Sequence, residues 1–233
     1  MGDYSIPEWT FFRREGDGVG IRVYEGGGVM MVLAEPLTIA ASAVLLSDEQ
    51  FYQLCRQNEA LRFEMSAEGE LIVMSPVGGE SGKRESRLIA RVDVWNEAAQ
   101  LGEVFSSSTI FRLPNGAKRS PDVAWVRGDR WAGLTREERE QFPPIVPDFV
   151  IELRSATDGL ASLQRKMVEY RDCGVRLGWL INPQDEQVEI YRPGVDVEVV
   201  ELPGELSGEE VLPGFVLALQ RFDPPNPPSK GGL

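Results

Sequence analysis

The sequence predicts a mixed α/β domain in which helices flank a central sheet, and three observations lead there. Helical and strand-like patterns succeed one another in the order helix, small hairpin, long helix, three strands, helix, strand, hairpin. Leu177 to Ile181 is a nearly continuous apolar run, as expected of a central strand buried on both faces. The composition is that of a globular protein, 42% hydrophobic and 26% charged. Its 233 residues suffice for one large domain or a domain with extensions.

The elements follow in chain order. Residues 1–43 contain the glycine-rich pieces GDGVG and EGGGVMMVL, with weak β character and no periodic face. They read as a weakly structured N-terminal extension. The apolar run Val29 to Leu46 is interrupted by Glu35 and Pro36, and no basic cluster precedes it. It fits neither a signal peptide nor a membrane span, so a cytoplasmic location is expected. The main domain is expected over residues 44–222. Ser47-Asp48-Glu49-Gln50 is a capping-box signature, with Phe51, Leu54 and Leu61 at roughly helical spacing behind it. Arg62–Met65 and Glu70–Met74 alternate like paired strands around a turn at Ala67–Gly69.

Gly79 to Gln100 reads as a long helix with an apolar stripe of Leu88, Val92, Trp95 and Ala99. Glu80, Lys83, Arg84, Arg87 and Arg91 share another face. That face reads either as solvated and laced with ion pairs, or as Glu80 turned to a metal with the basic residues turned to phosphates. A β run from Gly102, the turn Pro114-Asn115-Gly116 and a return strand Asp122–Val126 predict a hairpin. A polar, partly helical loop leads to a strand over Val146–Leu153. The helix Leu160–Cys173 should carry Leu163, Met167 and Tyr170 inward and stop at Gly174. A last hairpin turns at Pro193-Gly194, and the proline-rich tail 223–233 reads as disordered.

Composition excludes several chemistries. Histidine is absent, which removes Ser-His-Asp and Cys-His catalysis and histidine-ligated zinc. Cys55 and Cys173 lie far apart in no metal spacing, so free thiols are the default. A net charge of −13 argues against loose, whole-surface binding to nucleic acid; any such contact has to be local.

What remains is a pair of carboxylates. Asp122 begins one apolar strand and Glu152 lies near the end of another. A carboxylate on a strand of Val, Ile and Phe is costly to bury unless something pairs with it. If the two strands neighbour each other, the acids meet at one edge of the sheet. Oxygen ligands without His or Cys suit Mg²⁺ or Mn²⁺, and phosphodiester hydrolysis is the reaction such a site serves best. Period two puts Asp148, Val150, Glu152 and Arg154 on one face, so Arg154 reads either as a stabiliser of developing charge or as a plain salt-bridge partner. Lys166 reads either as an ammonium at the site or as an exposed helical lysine. Asp148, after Pro147, reads as a turn residue, and Gly78-Gly79 lacks the sequel of a phosphate loop.

At these residues the chain resembles a known family. Ser120-Pro121-Asp122, Ile151-Glu152-Leu153-Arg154-Ser155, Lys166-Met167-Val168-Glu169-Tyr170 and Gly178-Trp179-Leu180-Ile181-Asn182-Pro183 look like the Uma-two family of restriction-endonuclease-like proteins. The MSPVGGE stretch within Leu71–Glu80 resembles the family's approach to its first active-site helix. The resemblance covers roughly 47–222. It implies a restriction-endonuclease-like fold of the PD-(D/E)XK type, with a four-stranded mixed core sheet between helices. It also implies Mg²⁺-dependent cleavage of DNA, often by homodimers. Carried over, Asp122 and Glu152 become metal ligands and Glu80 the supporting acid. Lys166 looks like the family's lysine moved from the strand to the following helix, and Arg154 stands where the superfamily has its strand lysine. Lys83, Arg84, Arg87, Lys118 and Arg119 are the basic residues available as a DNA track. The expectation is an endodeoxyribonuclease. One alternative is an idle nuclease-fold module that binds protein or DNA as a dimer, with Asp122 paired to Arg154 or Lys166. Another is a phosphoesterase acting on RNA or nucleotides.

Overall fold

The computed structural model describes residues 46–59, 61–74 and 76–220, together with the backbone of four strands before them. The tail expected over 223–233 and most of the stretch before residue 44 lie outside the described residues. By packing, the chain divides into two compact units, Met1–Pro76 and Val77–Leu233. The compositional break near residue 43 falls inside the first.

In the first unit, strands β1 (Thr10–Phe12), β2 (Val19–Val23) and β3 (Val29–Leu33) pair antiparallel in sequence order. Strand β4 (Leu37–Ile39) precedes helix α1 (Asp48–Gln57). The capping box is present: the Gln50 amide donates to Ser47 Oγ (3.2 Å), and the Ser47 amide donates to Gln50 Oε1 (2.9 Å). Phe51 is the buried residue of this helix, whereas Leu61 lies beyond its end and is exposed. Strands β5 (Arg62–Met65) and β6 (Leu71–Met74) form the expected hairpin, with Gly69 at φ +84° in the turn, and β4 pairs with β6.

The second unit opens with helix α2 (Gly79–Ala99), whose Leu88 and Val92 are buried as the stripe predicts. Strand β7 (Gly102–Ser106) follows, then β8 (Phe111–Arg112) and β9 (Lys118–Arg119), then β10 (Val123–Arg127). The Pro114-Asn115-Gly116 turn joins β8 to β9, not β7 to β10; the expected β7–β10 pairing forms around this small inserted hairpin. Short helices α3 (Gly128–Ala132) and α4 (Arg136–Glu140) fill the polar loop. Strand β11 (Phe149–Leu153), helix α5 (Leu160–Cys173) and strand β12 (Leu177–Asn182) make a crossover with a parallel pairing, as a βαβ unit requires. Strands β13 (Gln187–Tyr191) and β14 (Glu198–Glu201) extend the sheet antiparallel. Among the described residues the sheet has six strands, in the order β14-β13-β12-β11-β10-β7.

Alternation divides the faces of this sheet. Val123, Trp125, Phe149, Ile151, Leu153, Leu177, Trp179 and Ile181 point to one side, into a core shared with Leu88 and Val92 of α2. A hairpin that the sequence pattern does not announce, β15 (Gly204–Ser207) and β16 (Val216–Leu219), adds Leu206, Leu217 and Leu219 to that core. Phe215 stacks on Trp179 at 6.1 Å between centroids, and Trp95 Nε1 donates to the Pro213 carbonyl (3.1 Å), tying this hairpin to α2. The other side of the sheet, carrying Val150, Glu152 and Gly178, faces α5. Gly178 makes that approach possible, since a Cβ there would lie 2.6 Å from Met167 Cε. The site lies on this face.

Candidate active site

Asp122 and Glu152 arrive from adjacent strands. The β10–β11 ladder pairs Val123 with Ile151 and Ala124 with Val150. Continued by one residue, this register sets Asp122 opposite Glu152, and directly opposed residues share a face. The Leu153 amide donates to Asp122 Oδ2 at 2.7 Å, so the backbone that follows Glu152 orients its partner acid.

Helix α5 supplies the rest. Lys166 and Tyr170 are one turn apart and therefore neighbours on the helix surface. Lys166 Nζ lies 2.8 Å from Glu152 Oε1, and the Tyr170 hydroxyl donates to the same oxygen at 3.1 Å. Glu152, Lys166 and Tyr170 are all buried. Lys166 is thus drawn into the site and is not an exposed helical lysine.

The electrostatics of the pair are unfavourable without a further positive charge. Burial first, and then the neighbouring charge of Glu152, push the Asp122 carboxyl well above its ordinary range. Glu85 pushes it the same way, while the Leu153 amide and Lys166 oppose the rise. Two carboxylates adjoin here, a third acts on Asp122, and the Lys166 ammonium touches Glu152. An all-oxygen donor set in that condition suits a hard divalent cation, for which Asp122 and Glu152 would be the ligands. Among the described residues, no three acidic side chains converge closely enough to form a ready-made cage. Such an ion would accordingly keep water in its shell, as Mg²⁺ commonly does.

Three expectations need correction. Glu80 does not approach this pair; it is exposed, and Lys83 Nζ lies 2.7 Å from its Oε2. That ion pair, with Arg84 and Arg87 beyond it, holds the Glu80 carboxyl below its usual range. The α2 acid that acts on Asp122 is Glu85, which also accepts from the Ser107 hydroxyl. Five residues rotate a helix by about 140° beyond one full turn, so Glu80 and Glu85 cannot face the same place. Arg154 does not bond Glu152 either. It lies past the end of β11, where its guanidinium engages Asn182 Oδ1 (3.3 Å), Asp185 Oδ2 (3.2 Å) and the Asp158 carbonyl (3.2 Å). The salt-bridge alternative is what the structure shows, as a brace between the loops after β11 and β12. Finally, Lys118 and Arg119 are buried, and Arg119 Nε pairs with Glu169 Oε2 at 2.5 Å. Neither offers a surface for DNA. Of the basic residues named, Lys83 and Arg87 are exposed and Arg84 is half-buried, all on α2.

Asp148, the second Pro-Asp acid, is a buried structural group. It accepts from the Arg127 amide at 2.9 Å and pairs with Arg130 Nη1 at 2.8 Å. The sequence reads Tyr170 as a core residue of α5 and assigns Glu85 no place in the site. The spacing of Tyr170 from Lys166 could have found the first, since a lysine turned inward brings the residue four later with it.

The family profile described as "Uma2: Putative restriction endonuclease" matches residues 48–220. The chain belongs to the Uma2 family. The match includes both strand acids, Lys166 and Tyr170. A crystal structure of a putative nuclease belonging to DUF820 from Anabaena variabilis ATCC 29413 is similar, with a TM-score of 0.53 at 22% identity. The superposition covers 60% of this chain and 77% of that one. At that identity the likeness establishes the fold, a mixed sheet between helices in a restriction-endonuclease-like core. No curated protein matches the chain. Among the described residues, no helix is long and apolar enough to cross a membrane. Uma2 membership and fold together place the chain with proteins of nuclease type.

Proposed function

We propose that this Uma2 protein is an endodeoxyribonuclease that depends on Mg²⁺ or Mn²⁺, held by Asp122 and Glu152. The observation that carries the reading is the opposition of these acids across β10 and β11, with the Lys166 ammonium 2.8 Å from Glu152. When bound, a hard divalent cation acidifies water and offsets charge on a phosphate oxygen. Hydrolysis joins the oxygen of water to phosphorus and breaks the bond to the leaving sugar oxygen, so negative charge builds on the phosphate. Lys166 is the residue placed to steady that charge or orient the attacking water. Leu153 and Tyr170 hold the two carboxylates in place, and Glu85 adds to the negative potential that draws a cation in.

The test is cleavage of supercoiled plasmid DNA by wild type, Asp122→Asn and Glu152→Gln, each with Mg²⁺, with Mn²⁺ and with EDTA. Wild type should cut only with metal, and both variants should fail. Undiminished cutting by both variants refutes the assignment. One observation favours the second reading, an idle nuclease-fold module: Lys166 already satisfies Glu152. That reading requires that calorimetric titration with Mn²⁺ detect no binding to the wild-type protein.

A further inference from the structure

We propose that Tyr170 is a positioning residue of this site, fixing the carboxylate of Glu152 through its hydroxyl; the inference rests on the metal-dependent reading above. The terminal torsion of a glutamate is broad and roughly two-fold, so a carboxylate that must present a chosen oxygen needs pins. One face of α5 supplies two for Glu152: Lys166 Nζ at 2.8 Å and the Tyr170 hydroxyl at 3.1 Å, on the same oxygen. They differ in kind. Lys166 is charged and competes with any cation for Glu152. Tyr170 is a neutral donor, so its hold on Oε1 need not be given up when positive charge arrives. The phenol is enclosed, with Tyr170 1% exposed, and Lys166 Nζ lies 5.8 Å from its ring centroid. The ring therefore lies beneath the Lys166 ammonium while its hydroxyl orients Glu152.

Packing and positioning separate cleanly, because phenylalanine keeps the ring and loses the hydroxyl. The experiment compares wild type, Tyr170→Phe and Tyr170→Leu by Mn²⁺ calorimetry, plasmid cleavage and thermal unfolding in EDTA. Outer partners of metal ligands typically contribute roughly tenfold to a hundredfold in affinity or activity. Tyr170→Phe should accordingly bind Mn²⁺ about tenfold more weakly and lose about tenfold in kcat. Its KM for DNA should stay within about twofold, since the hydroxyl contacts Glu152 and not the nucleic acid. Its unfolding temperature should stay near wild type, whereas Tyr170→Leu should unfold earlier. Wild-type Mn²⁺ affinity and kcat in Tyr170→Phe overturn this proposal alone, as does a loss of stability equal to that of Tyr170→Leu. A wild-type protein that binds no Mn²⁺ overturns the metal reading and this inference with it.

Discussion

Replacing Lys166 by methionine tests how the site balances charge. The substitution keeps the unbranched stem of a side chain that is 9% exposed and removes only the ammonium. Glu152, itself 4% exposed at its side chain, then faces Asp122 without the Lys166 ammonium. Removing one partner of a buried ion pair destabilises by about 3–5 kcal/mol, because the other charge is left buried and uncompensated. The Tyr170 hydroxyl still donates to Glu152, so the lower end, about 3 kcal/mol, is expected in EDTA. For a domain of this size that corresponds to roughly 6–12 °C in Tm. A divalent cation should return most of it: binding to the folded state alone contributes about 2.7 kcal/mol at a hundredfold excess over Kd. Urea denaturation with and without Mn²⁺ measures both quantities, and the gain should be larger in the variant than in wild type, where Lys166 competes. Plasmid cleavage should remain lost even with stability restored, which separates the ammonium's role in chemistry from its role as counter-ion. A loss below about 1 kcal/mol in EDTA, or no recovery with Mn²⁺, would refute the argument.

Three further outcomes are expected. Asp122 has a carboxyl pKa raised by burial and by Glu152, so the folded state holds that proton more tightly than the unfolded chain does. Without metal, stability should therefore fall as pH rises from the ordinary aspartate pKa through the raised one; Asp122→Asn should flatten this slope and be the more stable protein at neutral pH, as read by urea denaturation across pH. Arg154→Gln should leave Mn²⁺ affinity within about twofold and lower stability by about 1 kcal/mol, because it removes contacts to Asn182, Asp185 and Asp158 and none to Glu152. Gly102→Ala should destabilise by about 3 kcal/mol in chemical denaturation, since its Cβ would meet the Val126 carbonyl oxygen and, at 2.6 Å, the Trp125 ring.

The parts of the fold that were legible in the sequence are those with a local physical cause. The capping box of α1, the stripe of Leu88 and Val92, the Gly174 stop and the apolar run of β12 each depend on residues close in sequence. The β15–β16 hairpin was not legible, because Leu206, Phe215 and Leu217 gain their meaning only by packing on Trp179 and the sheet. The same distinction runs through the site. Period two put Glu152 on a buried face, but it could not tell that the Arg154 guanidinium would bond Asn182, Asp185 and Asp158 and not Glu152. Helical spacing placed Glu80 among Lys83, Arg84 and Arg87, which is the exposed ion-paired face that the structure contains. The acid that reaches Asp122 is on another side of the same helix, and nothing local distinguishes Glu85 from an ordinary solvent-facing residue. Lys118 and Arg119 look like surface charges in sequence and are buried in fact, Arg119 against Glu169 fifty residues further on.

That last pairing shows why so much of the site is concentrated in one turn of α5. Lys166 and Tyr170 hold Glu152 from one side of the turn. Glu169, between them in sequence, accepts from Arg119 Nε (2.5 Å) and from Asn115 Nδ2 (3.0 Å) in the β8–β9 hairpin. This hairpin leads within three residues into Asp122, and its exit is secured by the Ser120 hydroxyl on the Ser107 carbonyl. One helical turn therefore fixes one acid directly and steers the segment that delivers the other. Gly178 leaves room for the end of the Met167 side chain, whose Cε would lie 2.6 Å from a Cβ there. The strands thus oppose the two acids through the β10–β11 register, and α5 adds the side chains that hold Glu152 between them.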